Sequence, residues 1–117
     1  MGIDLKILAT HFRERRGEFL ATATIRLERD PALLAQLAPD AEPCLVRPLP
    51  NGLKIGHYED EGLRYDETDR SGNPLTFTSP SDLRNLRLPD DLSLWNRAAV
   101  SFLLGLPPDA RVILYWC

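Results

Sequence analysis

A chain of 117 residues with net charge −3, 44% apolar and 26% charged residues, has the size and composition of one globular domain with its own core. The acidic balance argues against nonspecific nucleic-acid binding, which needs Lys and Arg to neutralise phosphates, and no apolar stretch nears the ~20 residues that span a bilayer. Two cysteines, Cys44 and Cys117, are too few for a disulfide framework and are expected as free thiols in a reducing compartment.

The chain begins with Ile3, Leu5, Ile7 and Ala9 alternating with Asp4, Lys6 and Leu8, which predicts a first strand. Asp4 and Lys6 interrupt the only apolar segment that could serve a signal peptide, so the expected compartment is the cytoplasm. A charged connection follows, ending at Gly17. In it Arg13, Arg15 and Arg16, with Arg26 and Arg29 further on, could grip an anion or an acidic partner, because the planar guanidinium pairs with carboxylate and phosphate. Arg13 and Arg16 are therefore candidate binding residues, although Glu14, Glu18 and Glu28 neutralise the segment locally. From Phe19 to Leu27 the period of two returns, predicting one strand paired with the first as an antiparallel hairpin.

Asp30-Pro31 reads as a helix start of about two turns carrying Leu33, Leu34 and Leu37. Closely spaced prolines from Pro43 to Pro50 predict an extended segment that is neither helix nor central strand. Residues 53–58, 63–65 and 75–78 predict a meander of short strands joined by turns at Gly62 and Gly72. Ser79-Pro80-Ser81-Asp82 is a capping box for a short helix. The longest helix is predicted from about Asp91 to Leu104, with Asp90 or Asp91 as cap and Gly105 as stop. Its polar stripe of Ser93, Asn96, Arg97 and Ser101 is narrow, so Trp95, Val100, Phe102 and Leu104 project in directions that one sheet face cannot all cover. Arg111 to Cys117 is an unbroken apolar run. Chain ends usually fray, so this run predicts a central strand beside the first one, open to a parallel pairing, and the two together predict a complete domain over residues 1–117.

Few constellations suggest chemistry. Glu59, Asp60, Glu61, Asp66, Glu67 and Asp69 offer oxygen to a hard cation, but the nearest calcium-loop register has Thr78 where the bidentate glutamate belongs. Solvated hairpin turns explain the same residues. His11 and His57 stand on different elements, and no C-x-x-C or H-x-x-x-H spacing marks a metal site. Nucleophile-elbow and phosphate-binding glycine motifs are absent, so no catalytic residue and no cofactor is implied.

Met1-Gly2-Ile3-Asp4-Leu5, Leu33-Leu34-Ala35-Gln36-Leu37-Ala38 and Arg111-Val112-Ile113-Leu114-Tyr115-Trp116 together resemble a loose group of short bacterial and phage proteins. Members open with Met-Gly-x-Asp and close on an arginine-led apolar-aromatic strand; Leu5 stands where many carry a histidine. The resemblance implies a bacterial origin and carries over no particular activity. Twelve arginines against Lys6 and Lys54 point the same way, since arginine codons are GC-rich.

The expected fold is α+β, a mainly antiparallel sheet of five to seven short strands with one long helix and two short ones packed on it. Two functional readings follow. One is a non-enzymatic cytoplasmic module that binds a protein partner or forms a homodimer, with no nucleic-acid or membrane partner. The other is an enzyme or small-molecule-binding protein with a pocket between helix and sheet, using His57, Tyr58, Tyr65 and nearby carboxylates. A deep pocket around His57 would favour the second; a filled core with apolar surface left over favours the first.

Overall fold

A computed structural model describes residues 4–11 and 17–117. The candidate arginines Arg13 and Arg16, with Arg15, lie outside the described residues. The strands are β1 (Leu5–Thr10), β2 (Gly17–Leu20), β3 (Ala23–Arg26), β4 (Arg47–Pro48), β5 (Leu53–Glu59), β6 (Gly62–Asp66), β7 (Thr76–Thr78) and β8 (Arg111–Trp116). The helices are α1 (Pro31–Leu34, continued by a 3-10 turn over Ala35–Leu37), α2 (Pro80–Leu83) and α3 (Leu94–Leu104). The architecture is α+β. A five-stranded sheet in the order β3-β1-β8-β7-β4 is antiparallel throughout, and a three-stranded sheet has the order β2-β5-β6.

β8 lies beside β1, antiparallel, in a register running from Leu5↔Trp116 to Thr10↔Arg111. A parallel pairing, which the sequence left open, is not what forms. Both strands are central and covered on both faces, which explains why their apolar runs show no clean alternation. Leu5, Ile7, Val112 and Leu114 face the helices and pack with Leu33, Leu37, Leu83, Ala99 and Leu103. Leu8, Ile113 and Tyr115 face the other way and pack with Leu53, Ile55, Leu75 and Phe77. The five-stranded sheet is thus the middle layer, with helices on one side and the smaller sheet on the other.

The single strand predicted from Phe19 to Leu27 is two strands in two sheets. β2 runs parallel to β5, and β3 runs antiparallel to β1. The corner falls at Ala21-Thr22, where Ala21 donates its N–H to Gly56 in the small sheet and Thr22 donates to Ala9 in the large one. The side-chain alternation continues through the corner, so the change of partner leaves no mark on the pattern. β4 carries its proline on the edge of the five-stranded sheet, the position that tolerates a missing donor.

Asp30 caps α1 by accepting from the Leu33 N–H, and Ser79 caps α2 by accepting from Asp82, as their sequences predict. α3 begins three residues later than expected. Ser93 is its cap, because Leu92 donates to Pro89 in a preceding turn and leaves Asp90 and Asp91 outside the helix. Asn96, predicted on the polar stripe, is buried. Its Oδ1 accepts from the Glu28 N–H at 2.8 Å and its Nδ2 donates to the Glu28 carbonyl at 2.9 Å. Gln36 grips the Arg87 backbone in the same two-bond fashion, at 2.7 and 2.8 Å. In each case a side-chain amide supplies the donor and acceptor that a neighbouring strand would have supplied.

Candidate functional site

Lys6 is the second residue of β1 and points at the small sheet, 1% exposed. A buried ammonium is tolerated only when its three protons are taken. Here all three acceptors come from β5: His57 Nδ1 at 2.9 Å, the Tyr58 carbonyl at 2.8 Å and Glu59 Oε2 at 3.5 Å. An ammonium has no lone pair, so Nδ1 of His57 must be unprotonated. The ring proton is then on Nε2, which donates to Asp66 Oδ2 at 2.7 Å. Asp66 also receives Arg64, through Nε at 3.0 Å and Nη2 at 3.2 Å. Glu59 receives Arg70 at 3.2 Å and Arg26 at 3.5 Å. The Tyr115 ring lies 4.7 Å from the His57 ring, centroid to centroid, and its hydroxyl meets the Arg70 guanidinium.

Burial holds the His57 imidazole below its ordinary value; Asp66 pulls it upward and the Lys6 ammonium pushes it further down. Burial would raise the Glu59 carboxyl, but Lys6 and Arg70 outweigh it and hold the group below its usual range. Burial raises the Tyr115 phenol, opposed by Arg70. These groups satisfy one another and the His57 side chain has no exposure, so the arrangement ties the two sheets together and presents no reactive atom to a substrate.

The three site residues predicted near one another diverge. His57 faces the interior, whereas Tyr58 and Tyr65 stand on the opposite face of the small sheet, 67% and 41% exposed. The Tyr65 ring covers Gly56, its cross-strand partner, where a Cβ would come within 2.7 Å of the ring. Leu20 and Leu63 complete this outer apolar face. An open groove of about 790 Å³ lies elsewhere, lined by Gln36, Glu42, Cys44 and Arg87 among others. Cys44 is exposed and its thiol donates to the Pro39 and Val46 carbonyls; Cys117 is half-buried, with Arg26 at 3.6 Å, and both are free.

The acidic segment divides by role. Glu59 and Asp66 turn inward to the network, contrary to the solvated turns expected for them. Asp69 organises the next turn by accepting from the Ser71 and Asn73 N–H groups. Among the described residues no group of three or more His, Cys, Asp or Glu side chains is placed to hold a metal ion. No helix there is long and apolar enough to cross a membrane. Lys6, Arg64, Arg70 and Tyr115 were not singled out from sequence; the available signal was a lysine inside an otherwise apolar strand of a lysine-poor chain.

A second candidate is the outward face of α3. Leu94 (84% exposed), Trp95 (57%), Ala98, Ser101 and Phe102 (44%) line it, and the exposed Arg97 borders it with its guanidinium turned back to donate to the Leu92, Pro89 and Asp90 carbonyls. Trp95 Nε1 donates to the Arg26 carbonyl at 2.7 Å, which fixes the indole against β3 while its ring stays open to solvent. Of the four side chains expected to exceed one sheet's cover, Trp95 and Phe102 are exposed, Leu104 is half-buried and Val100 is buried.

Compared with family models, with curated proteins and with solved structures, the chain matches none.

Proposed function

We propose that this is a small non-enzymatic module that self-associates through the outward face of α3. The observation that carries the reading is that this face is mainly apolar, with Arg97 at its edge, and anchored by the Trp95–Arg26 bond. A twofold contact sets a patch against its own copy, so a charged centre would repel itself; here the exposed Arg97 lies at the edge and is bonded back to the Leu92, Pro89 and Asp90 carbonyls. Its middle, Ala98 and Ser101, is small, with bulk at both ends. Two copies of α3 crossing antiparallel near Ala98 would place Trp95 of one beside Phe102 of the other. Contiguous apolar surface of this kind on a small protein commonly marks an interface.

The small sheet's outer face competes less well, because Glu18 and Lys54 share it with the tyrosines. The ligand-pocket alternative has less support still, since His57 is sealed and its two tyrosines face away from it. A bacterial, cytoplasmic setting, suggested by the arginine-rich composition and the free thiols, is part of the same proposal.

An 11-residue helix is about 16 Å long. That is short for a standard interface of roughly 800 Å² per partner, so a weak, reversible dimer is expected. Sedimentation from about 1 to 100 µM should show mass rising from 13.2 kDa toward twice that value. Leu94→Glu and Phe102→Glu should each hold the protein monomeric with its melting temperature little changed. A wild-type chain that stays monomeric throughout would end the proposal.

A further inference from the structure

Lys6 belongs to the five-stranded sheet, yet its three hydrogen-bond acceptors all lie on β5 of the small one. The contact therefore crosses between layers, and it holds only while His57 Nδ1 keeps its lone pair. A proton on Nδ1 would set two donors face to face at a spacing of 2.9 Å. The same proton would not leave the imidazolium stranded, because Asp66 already accepts from the far side of the ring at 2.7 Å. Two arrangements thus have partners: neutral His57 bound to Lys6, and charged His57 bound to Asp66 alone.

We infer that Lys6, His57 and Asp66 form an acid-operated latch, in which protonation of His57 expels Lys6 and loosens β6 with the His57–Glu59 half of β5, while the five-stranded sheet stays closed. Every packed element contributes to the field at this ring. Lys6 comes from β1, Arg26 from β3, Glu59 from β5, Arg64 and Asp66 from β6, Arg70 from the following turn and Tyr115 from β8. Four cations face two carboxylates, so another positive charge adds to an existing excess. Burial and Lys6 put the transition on the acid side of the ordinary histidine value.

Loosening is confined by the way each part is held. Leu53 and Ile55 anchor the first half of β5 in an apolar core, whereas β6 has three exposed residues out of five and is an edge strand. Local opening of such elements precedes global unfolding.

The test is NMR on the intact chain between about pH 8 and pH 5, with ring-nitrogen shifts for His57 and amide-exchange protection for both sheets. The expected result is an Nε2–H tautomer near neutrality and a His57 midpoint below the ordinary histidine value of 6.5. Protection in β6 should fall at least about tenfold more than in β1 and β8 as His57 titrates. Lys6→Met should raise the His57 midpoint and remove the selective opening. Should that variant not fold, Asp66→Asn serves instead, and should lower the midpoint by removing the imidazolium's partner. An Nδ1–H tautomer at neutral pH, equal loss of protection in both sheets, or an unmoved midpoint in the variant that folds would overturn the latch.

Discussion

On the helix side of the five-stranded sheet, Leu5, Ile7, Val112 and Leu114 meet Leu33, Leu37, Ala99 and Leu103, and none of these can change charge. One residue along the same strands, on the opposite face, Lys6 and Tyr115 meet His57 and Glu59. Two central strands therefore build two interfaces of different character. The apolar one depends on shape alone, and its stability should be indifferent to pH. The other is partly conditional: beside the apolar Leu8, Ile113, Leu53 and Ile55 it holds the Lys6 cluster, each charged member of which is tolerable only while its partner holds the right proton, because burying a charge is costly unless it is paired. A small domain built this way has a fixed half and a conditional half.

The most severe way to break the comparison is to remove both halves at once. Deleting residues 111–117 takes Val112 and Leu114 from one interface and Ile113 and Tyr115 from the other. The combined loss exceeds the ~5–15 kcal/mol that stabilises a typical domain, so no cooperative melt should be seen. Lys6→Met comes next, at about 3–5 kcal/mol near neutral pH, because Glu59 and the Tyr58 carbonyl lose their buried partner. Adding His57→Leu should restore part of that loss, and calorimetry on the two variants would read the recovery.

Leu103→Ala should cost about 2–5 kcal/mol through the cavity it leaves in the apolar interface. It sharpens the contrast when measured against pH. His57 is held below its ordinary 6.5, so its neutral form favours the fold fully above that value. That contribution is lost as pH falls through the depressed value. Glu59, held below 4.5, acts with the same sign further into acid. Melting temperature should therefore drop on acidification. The cost of Leu103→Ala should stay constant, while that of Lys6→Met shrinks because the acid form has already lost the Lys6 contact. Equal pH dependence of both costs would erase the distinction between the two interfaces.

Thr76→Val carries the smallest expected effect. Thr76 sits on the helix-side face of β7, opposite Leu114, and its buried hydroxyl has no hydrogen-bond partner among the described residues. Replacing it by a methyl should be neutral or stabilising by up to about 1 kcal/mol, seen as an unchanged or raised midpoint in urea.

What was legible in the sequence followed from local rules. Asp30-Pro31 and Ser79-Pro80 cap their helices through atoms a few residues away, and the apolar run at 111–117 could be stable only between neighbours. The corner at Ala21-Thr22 was not legible, because a strand that changes sheets keeps the same period of two. Lys6 was not either. In an alternating strand a lysine reads as a solvent-facing residue, and the acceptors that bury it arrive 51 residues later or more. Asn96 misled for the same reason, since Glu28, which claims its amide, is 68 residues distant. The wide apolar face of α3 was plain, but which part of it the sheet would cover depended on the helix's rotation. That rotation is set by Asn96 and Trp95 gripping the chain at Glu28 and Arg26.

The side-by-side placement of β1 and β8 also sets a timetable for synthesis. β3 can join β1 early, since Lys6 pairs with Arg26 within a short stretch of chain. The other side of β1 must wait for Arg111–Trp116, and at ordinary translation rates that wait is roughly 5–20 s. During it, Leu5, Ile7 and Leu8 have neither core to enter, and Lys6 has no Tyr115 at its side. The apolar side chains of β1 therefore stay open on that side until β8 has been made and slides into the centre of the sheet.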